Sequence, residues 1–125
     1  MVLLVDDGGD NENSDWMYAL NSALQDYLIQ CFNNAEDAIA EIKDGLKYHL
    51  LIVDISISWK RWESGFDVIE FSHKKNPKVP IIGVSLSPET YTSNAPRYDN
   101  LRYMSKRAII PDSAREIIKE LLGKK

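Results

Sequence analysis

Residues 50–54 read Leu-Leu-Ile-Val-Asp, four apolar residues followed at once by a carboxylate. Apolar side chains in succession, rather than in alternation, are typical of a parallel strand that is buried on both faces. Val2–Val5 and Ile81–Val84 repeat the pattern, and Tyr27–Phe32 and Leu101–Met104 are weaker versions of it. The sequence therefore predicts five strands in one covered parallel sheet.

Helical signals lie between these strands. Residues 35–42 carry apolar side chains at i, i+3, i+4 and i+7, with Asn34 as the predicted cap and Gly45 as the predicted stop. The same spacing recurs near the end of the chain, where Ser113 and Glu116 form a predicted capping box. Both segments are expected to pack one apolar face on the sheet.

Two further helices are predicted, one from near Ser14 and one that stops before Pro77. A fourth, between Pro88 and Asn100, is expected to be short or irregular because Pro96 interrupts it. Strand and helix thus alternate five times, which predicts an α/β fold with a five-stranded parallel sheet, doubly wound as a three-layer sandwich. The inner faces of the first and third helices are assigned to Met17, Leu20 and Leu24, and to Phe66, Ile69 and Phe71.

Composition limits the class of protein. The 125 residues include 15 Lys and Arg and 19 Asp and Glu, a formal charge of −4, which argues against broad binding to a nucleic-acid backbone. No apolar stretch approaches the ~20 residues that cross a bilayer. The single cysteine, Cys31, cannot form an internal disulfide and is expected to be a buried strand residue in a cytoplasmic protein. We therefore expect one domain over residues 1–125, with no direct contact to nucleic acid or membrane.

Reactive side chains follow four of the five strands. Asp6 and Asp7 follow the first, Asp54 ends the third, Ser85 ends the fourth and Lys106 follows the fifth. The carboxyl ends of parallel strands meet at one edge, where open α/β sheets bind ligands. Clustered carboxylates need a hard cation between them, and Mg²⁺ prefers oxygen ligands. With the cation and the lysine neutralising a phosphoryl group, one carboxylate can attack phosphorus in line.

This ordered set resembles the receiver domain of two-component response regulators, and the resemblance covers nearly the whole chain. It implies a flavodoxin-like fold, a Mg²⁺ cofactor and a role in phosphorelay signalling. By this resemblance Asp54 is the phosphoacceptor, Lys106 the phosphoryl clamp, and Ser85 with Tyr103 the switch pair. The implied metal ligands are Asp7 directly, Asp6 mainly through water, Asp54, and the backbone carbonyl of Ser56.

The chain also departs from the receiver pattern. Ile57 and Ser58 stand where receivers usually carry Met-Pro, and the stretch from Asp54 to Gly65 is about three residues longer than is usual for the family. Leu86 replaces the small residue that leaves the phosphoryl group open to approach, and Arg107 replaces the proline after the lysine. Leu86 is therefore expected to limit access to Asp54.

The leading interpretation is a receiver that accepts phosphate from a histidine kinase or phosphotransfer protein and then changes its contact with an unknown downstream protein. It is expected to be a monomer or weak dimer that is no enzyme beyond its own phosphotransfer and autodephosphorylation. The chain ends soon after the fifth helix, so no output domain is expected in it. The alternative is a pseudo-receiver, a protein-interaction module that works without phosphorylation.

Two enzyme classes fit the first loop less well. A phosphatase of the haloacid dehalogenase type places a second acid two residues after its nucleophile, whereas Gly8 stands two residues after Asp6. A flavin-binding phosphate loop needs hydroxyls and glycines, and the carboxylates of Asp6, Asp7 and Asp10 would repel a phosphate.

Overall fold

The computed structural model describes residues 1–5, 20, 22–25, 27–55, 65–85, 97–105 and 111–122. Within these residues the chain forms one parallel sheet with helices on both faces. The strands are β1 (Val2–Val5), β2 (Ile29–Phe32), β3 (Leu50–Asp54), β4 (Ile81–Ser85) and β5 (Leu101–Ser105). The helices are α1 (Ala35–Lys43), α2 (Gly65–Lys75) and α3 (Pro111–Leu122).

The strands lie in the order β2-β1-β3-β4-β5, and every neighbouring pair is parallel. The direction of chain progression reverses between β1 and β3. In open α/β sheets this switch point, at the carboxyl ends of the strands, is where ligands bind. The predicted doubly wound, five-stranded α/β class is confirmed.

Each face of the sheet has its own apolar core, because successive side chains of a strand point to opposite faces. On one face the sheet residues pack against Leu20, Leu24 and the inner side of α3, including Ala114 and Ile118. The opposite face packs against α1 and α2, which contribute five buried side chains: Ala35, Ala38, Ile42, Val68 and Ile69. Burial on both faces explains why the strand sequences are continuously apolar.

Helix α1 has the ends that the sequence predicts. Asn34 Oδ1 accepts the backbone N–H of Asp37 at 2.7 Å, as an N-cap does. At the other end Gly45 adopts a left-handed φ of +95°. The amide of Gly45 donates to the carbonyl of Ile42 and that of Leu46 to the carbonyl of Glu41, both at 3.1 Å. This pair of bonds is the Schellman arrangement, and it satisfies carbonyls that the helix leaves unpaired.

Three sequence predictions about local structure are wrong. Strand β2 begins at Ile29 rather than Tyr27, because the Tyr27 amide donates to Leu24 at 2.9 Å and so continues a helical turn. Helix α3 begins at Pro111, so Ser113 lies inside the helix and not at the N-cap position that a capping box requires. Proline suits a first helical position, since it lacks the N–H that would go unpaired there.

The third wrong prediction is the burial of Cys31, which is exposed. Strand β2 is at the edge of the sheet, with β1 as its one neighbour. A central strand is covered on both sides, whereas an edge strand can leave part of a face open. Cys31 is therefore accessible although it lies in a strand.

Part of the first predicted helix can be compared with the structure. Leu20 and Leu24 are buried, and the Leu24 amide donates to the Leu20 carbonyl at 2.9 Å, as in a helix. The predicted start at Ser14 and the fourth helix, including Pro96, lie outside the described residues. No helix in the described ranges is both long and apolar enough to span a membrane.

Candidate functional site

The strand ends bring the described members of the predicted site to one edge of the sheet. Asp54, the last residue of β3, is in register with Val84, and Ser85 at the end of β4 is in register with Ser105. The amide of Ile55 donates to the carbonyl of Val84 at 2.8 Å, so the chain stays attached to β4 directly after Asp54. Asp54 and Ser85 therefore lie at neighbouring strand ends.

The side chain of Asp54 is almost completely buried, with 1% of the residue exposed. Among the described residues, Ser72 is the one other buried polar residue, and it hydrogen-bonds Tyr48 far from this edge. A carboxylate is costly to bury unless a cation or several donors compensate its charge. Asp54 is thus a buried acid at the carboxyl ends of the strands rather than a surface one.

The ring of Tyr103 lies over β4 and reaches toward α2. A Cβ built on Gly83 would stand 2.8 Å from Cδ1 and 2.9 Å from Cε1 of Tyr103, and 3.2 Å from Cδ1 of Ile55. On its far side the ring meets Phe66 edge to face, with ring centres 6.3 Å apart. Tyr103 is thus packed between β4 and the first turn of α2, and Ile55, the residue that follows Asp54, borders the same position above Gly83.

Burial raises the pKa of Tyr103 to about 12, because the phenolate would lose its hydration there. The positive charge of Arg97 lowers this pKa somewhat, and Tyr98 and Glu70 raise it. Burial, with the nearby charge of Glu70, also raises the pKa of Tyr98. The Tyr103 hydroxyl is therefore un-ionised at physiological pH and can act as a hydrogen-bond donor.

Most of the predicted site lies outside the described residues. Asp6, Asp7, Ser56, Leu86 and Lys106 are in this group, as is Arg107, and Ser85 is described by its backbone alone. Within the described ranges no three His, Cys, Asp or Glu side chains come together in a way that could hold a metal ion. Since Asp54 is the one predicted metal ligand whose side chain is described, the Mg²⁺ site stays a prediction.

No protein-family model matches the chain, and no curated protein matches it. Solved structures do match, over nearly the whole chain. A response regulator receiver protein from Sinorhizobium medicae has a TM-score of 0.76 and 19% identity, over 98% of this chain and 94% of its own. The receiver domain of NtrX from Brucella abortus has a TM-score of 0.74 and 19% identity, with both chains covered completely. The fold is that of a response regulator receiver domain.

A receiver structure with higher sequence identity comes from Thermotoga maritima. The response regulator TrrA, crystallised in complex with Mg²⁺ and BeF, is 29% identical over 97% of both chains, with a TM-score of 0.71. The shared fold accounts for the strand order. The resemblance inferred from the sequence is confirmed at the level of the fold.

Two contacts of this receiver fold escaped the sequence analysis. Gly83 leaves room for the ring of Tyr103. The sequence does contain a signal for this contact, because a glycine inside a strand often marks a place where another group approaches the backbone closely. The rings of His73 and Tyr98 stack with centres 3.6 Å apart and planes 7° from parallel. Nothing in the sequence around His73 indicates a partner in the segment before β5.

Proposed function

We propose that the chain is a phospho-accepting receiver in a two-component or phosphorelay system, with Asp54 as the acceptor. The observation that carries the proposal is a buried carboxylate at the end of β3, at the switch-point edge of a sheet with the receiver fold. A histidine kinase or phosphotransfer protein would be the donor, and a downstream protein would read the phosphorylated surface.

The proposed transfer uses side chains at and just beyond the strand ends. A carboxylate oxygen of Asp54 forms a new bond to phosphorus as the bond from phosphorus to the donor breaks, and that electron pair leaves with the donor. Lys106 would hold a phosphoryl oxygen, and Ser85 would donate a hydrogen bond to the acyl phosphate. Asp6, Asp7, Asp54 and the carbonyl of Ser56 would hold Mg²⁺, whose charge offsets that of the phosphoryl group.

Tyr103 is proposed to couple this chemistry to the surface. Its ring fills the position above Gly83 that a Cβ would take. Ile55, the residue that directly follows the acceptor, borders the same position. A change at Ser85 on β4 would therefore alter the packing of the ring, which lies across the same strand. The two residues of the proposed switch pair are on neighbouring, paired strands.

The test is phosphorylation by acetyl phosphate with Mg²⁺, followed by the intact mass of the protein. One phosphoryl group is expected on the unmodified chain and none on Asp54→Asn. Asp44→Asn is the matched control, because Asp44 caps the end of α1 and is exposed, away from the strand ends. Full labelling of Asp54→Asn, or loss of labelling in Asp44→Asn, would contradict the assignment.

The pseudo-receiver is the second candidate, favoured by Leu86 and Arg107 in place of the usual small residue and proline. Beryllofluoride with Mg²⁺ separates the two candidates, since this acyl-phosphate mimic requires a working acceptor site. An active receiver gains thermal stability from the bound mimic, and Asp54→Asn does not. A chain whose melting temperature is unchanged by beryllofluoride and Mg²⁺ is a pseudo-receiver.

Leu86 is proposed to slow both formation and hydrolysis of the acyl phosphate. Hydrolysis needs a water in line with phosphorus, and a branched side chain directly after Ser85 would limit its approach. Leu86→Ala is expected to shorten the half-life of the phosphoprotein about tenfold, which corresponds to about 1.4 kcal/mol in barrier. The measurement is decay after donor removal, and equal half-lives would show that Leu86 does not cover the acceptor.

A further inference from the structure

At the amino ends of the strands, opposite the end where Asp54 lies, a cavity of about 370 Å³ is found between the C-terminal ends of α1 and α2. We call it the amino-edge cavity and define it by Gly45, Lys47, Tyr48, His49, Lys75 and Asn76, which line it. Gly45 borders open space there, because a Cβ built on it would meet no atom within 4 Å. The volume is within the range of small-molecule sites.

The charge of the amino-edge cavity is of one sign. Among the described residues that line it, Lys47 and Lys75 carry positive charge and none is Asp or Glu. Three other cavities of the described ranges each combine lysine or arginine with at least one carboxylate. A cavity whose charged lining residues are both lysines, in a chain of net charge −4, favours an anion over a cationic ligand.

Polar contacts hold the floor of the amino-edge cavity in place. The hydroxyls of Tyr48 and Ser72 are 2.6 Å apart, and Asn76 Nδ2 donates to the Tyr48 oxygen at 3.0 Å. These bonds join the segment before β3 to the end of α2. The Tyr48 and Asn76 side chains are therefore already ordered in the ligand-free protein. This preorganisation lowers the entropy cost of binding a ligand.

The position of the lysines is only partly explained by helix stability. Lysine near a helix C-terminus interacts favourably with the helix dipole, and Lys75 does lie in the last turn of α2. Its Nζ is 3.5 Å from the carbonyl oxygen of Lys43, a long contact. Lys47 lies in neither helix, and the Schellman bonds already satisfy two carbonyls at the end of α1.

We propose that the amino-edge cavity binds a small oxyanion, a phosphate- or carboxylate-bearing metabolite held between Lys47 and Lys75. The site is independent of Asp54, since it lies at the other edge of the sheet. Its ligand would therefore be a second input to the protein, separate from phosphorylation.

The test is titration of the full chain with inorganic phosphate, and separately with citrate, without Mg²⁺ and at constant ionic strength. Amide shifts in the ¹⁵N–¹H spectrum are expected to saturate at Gly45, Lys47 and Asn76. Lys47→Gln and Lys75→Gln are each expected to weaken binding about fivefold, as for one unit charge a few ångströms away in nearly aqueous surroundings. Phosphate and citrate together show which oxyanion chemistry the cavity prefers.

Lys78→Gln is the matched control, because Lys78 is exposed and is not among the lining residues. Binding to this variant is expected to change less than twofold. Shifts that stay linear with anion concentration, or an equal loss in Lys78→Gln and Lys47→Gln, would show diffuse attraction to surface charge and would overturn the proposal.

Discussion

Gly83 and Tyr103 form a contact that depends on the absence of one methyl group. Ring carbons of a packed tyrosine cannot bend aside as the end of a flexible chain can, so an added Cβ must displace the ring or the backbone of β4. Gly83→Ala is expected to lower the free energy of unfolding by about 1–3 kcal/mol, the usual cost of overpacking. Urea denaturation measures this loss.

The cause is tested in a double-mutant cycle with Tyr103→Ala. Without the ring the added methyl group has space, so Gly83→Ala should cost much less in that background. An equal cost in both backgrounds would place the strain in the backbone of β4 instead of in the contact with Tyr103.

The Tyr103 phenol also links stability to pH. Its pKa is about 12 in the folded chain, against about 10 in an unfolded one. The un-ionised phenol therefore stabilises the fold fully below about pH 10, and this contribution is lost as pH rises through about 12. Urea denaturation at about pH 9 and about pH 11 should show a fall in stability that is smaller in Tyr103→Phe.

Absorbance of the phenolate gives an independent measurement of the same property. Tyr98 has a raised pKa as well, so Tyr98→Phe is the comparison that separates the two phenols. If Tyr103→Phe leaves the titration curve unchanged, the phenol with the raised pKa belongs to another tyrosine.

At the scale of elements, α1 is the best-specified helix, because its signals are local. Asn34 and Gly45 are recognisable from sequence, and both act as predicted. The start of α3 was misread because Pro111 and Ser113 are both helix-start residues, and sequence alone does not rank them. The exposure of Cys31 could not be predicted for a different reason, because it depends on which strand is the outermost one in the sheet.

The end of α1 gives a prediction that contrasts with Gly83. Gly45 has a φ of +95° but open space around it, so Gly45→Ala should cost about 1 kcal/mol through backbone conformation alone. Asparagine tolerates the left-handed region better, and Gly45→Asn should cost less. Chemical denaturation of the two variants measures the difference in their free energies of unfolding. Equal losses would show that the added side chain, and not the left-handed φ, causes the destabilisation.

At the scale of the whole molecule, the sequence predicted the fold class and the edge at which the candidate site lies. Both follow from apolar runs that end in reactive residues, a pattern that needs no knowledge of tertiary contacts. The packing of Tyr103 and the stack of His73 on Tyr98 could not be predicted, because each joins elements distant in sequence. The two sheet edges also differ in kind: the buried carboxylate of Asp54 is at one, and a cavity lined by lysine and histidine at the other.

The order of the strands also bears on how the chain folds during synthesis. Val2 pairs with Ile29 on one side and with Leu50 on the other, so β1 has both sides covered only after the two strands that follow it in the chain have emerged from the ribosome. Until then β1 presents unpaired backbone groups and four apolar side chains to solvent or to a chaperone. Strand β5 pairs with β4 alone and can add to a sheet already formed. Translation speed through residues 29–54 therefore sets how long the nascent chain is exposed to aggregation.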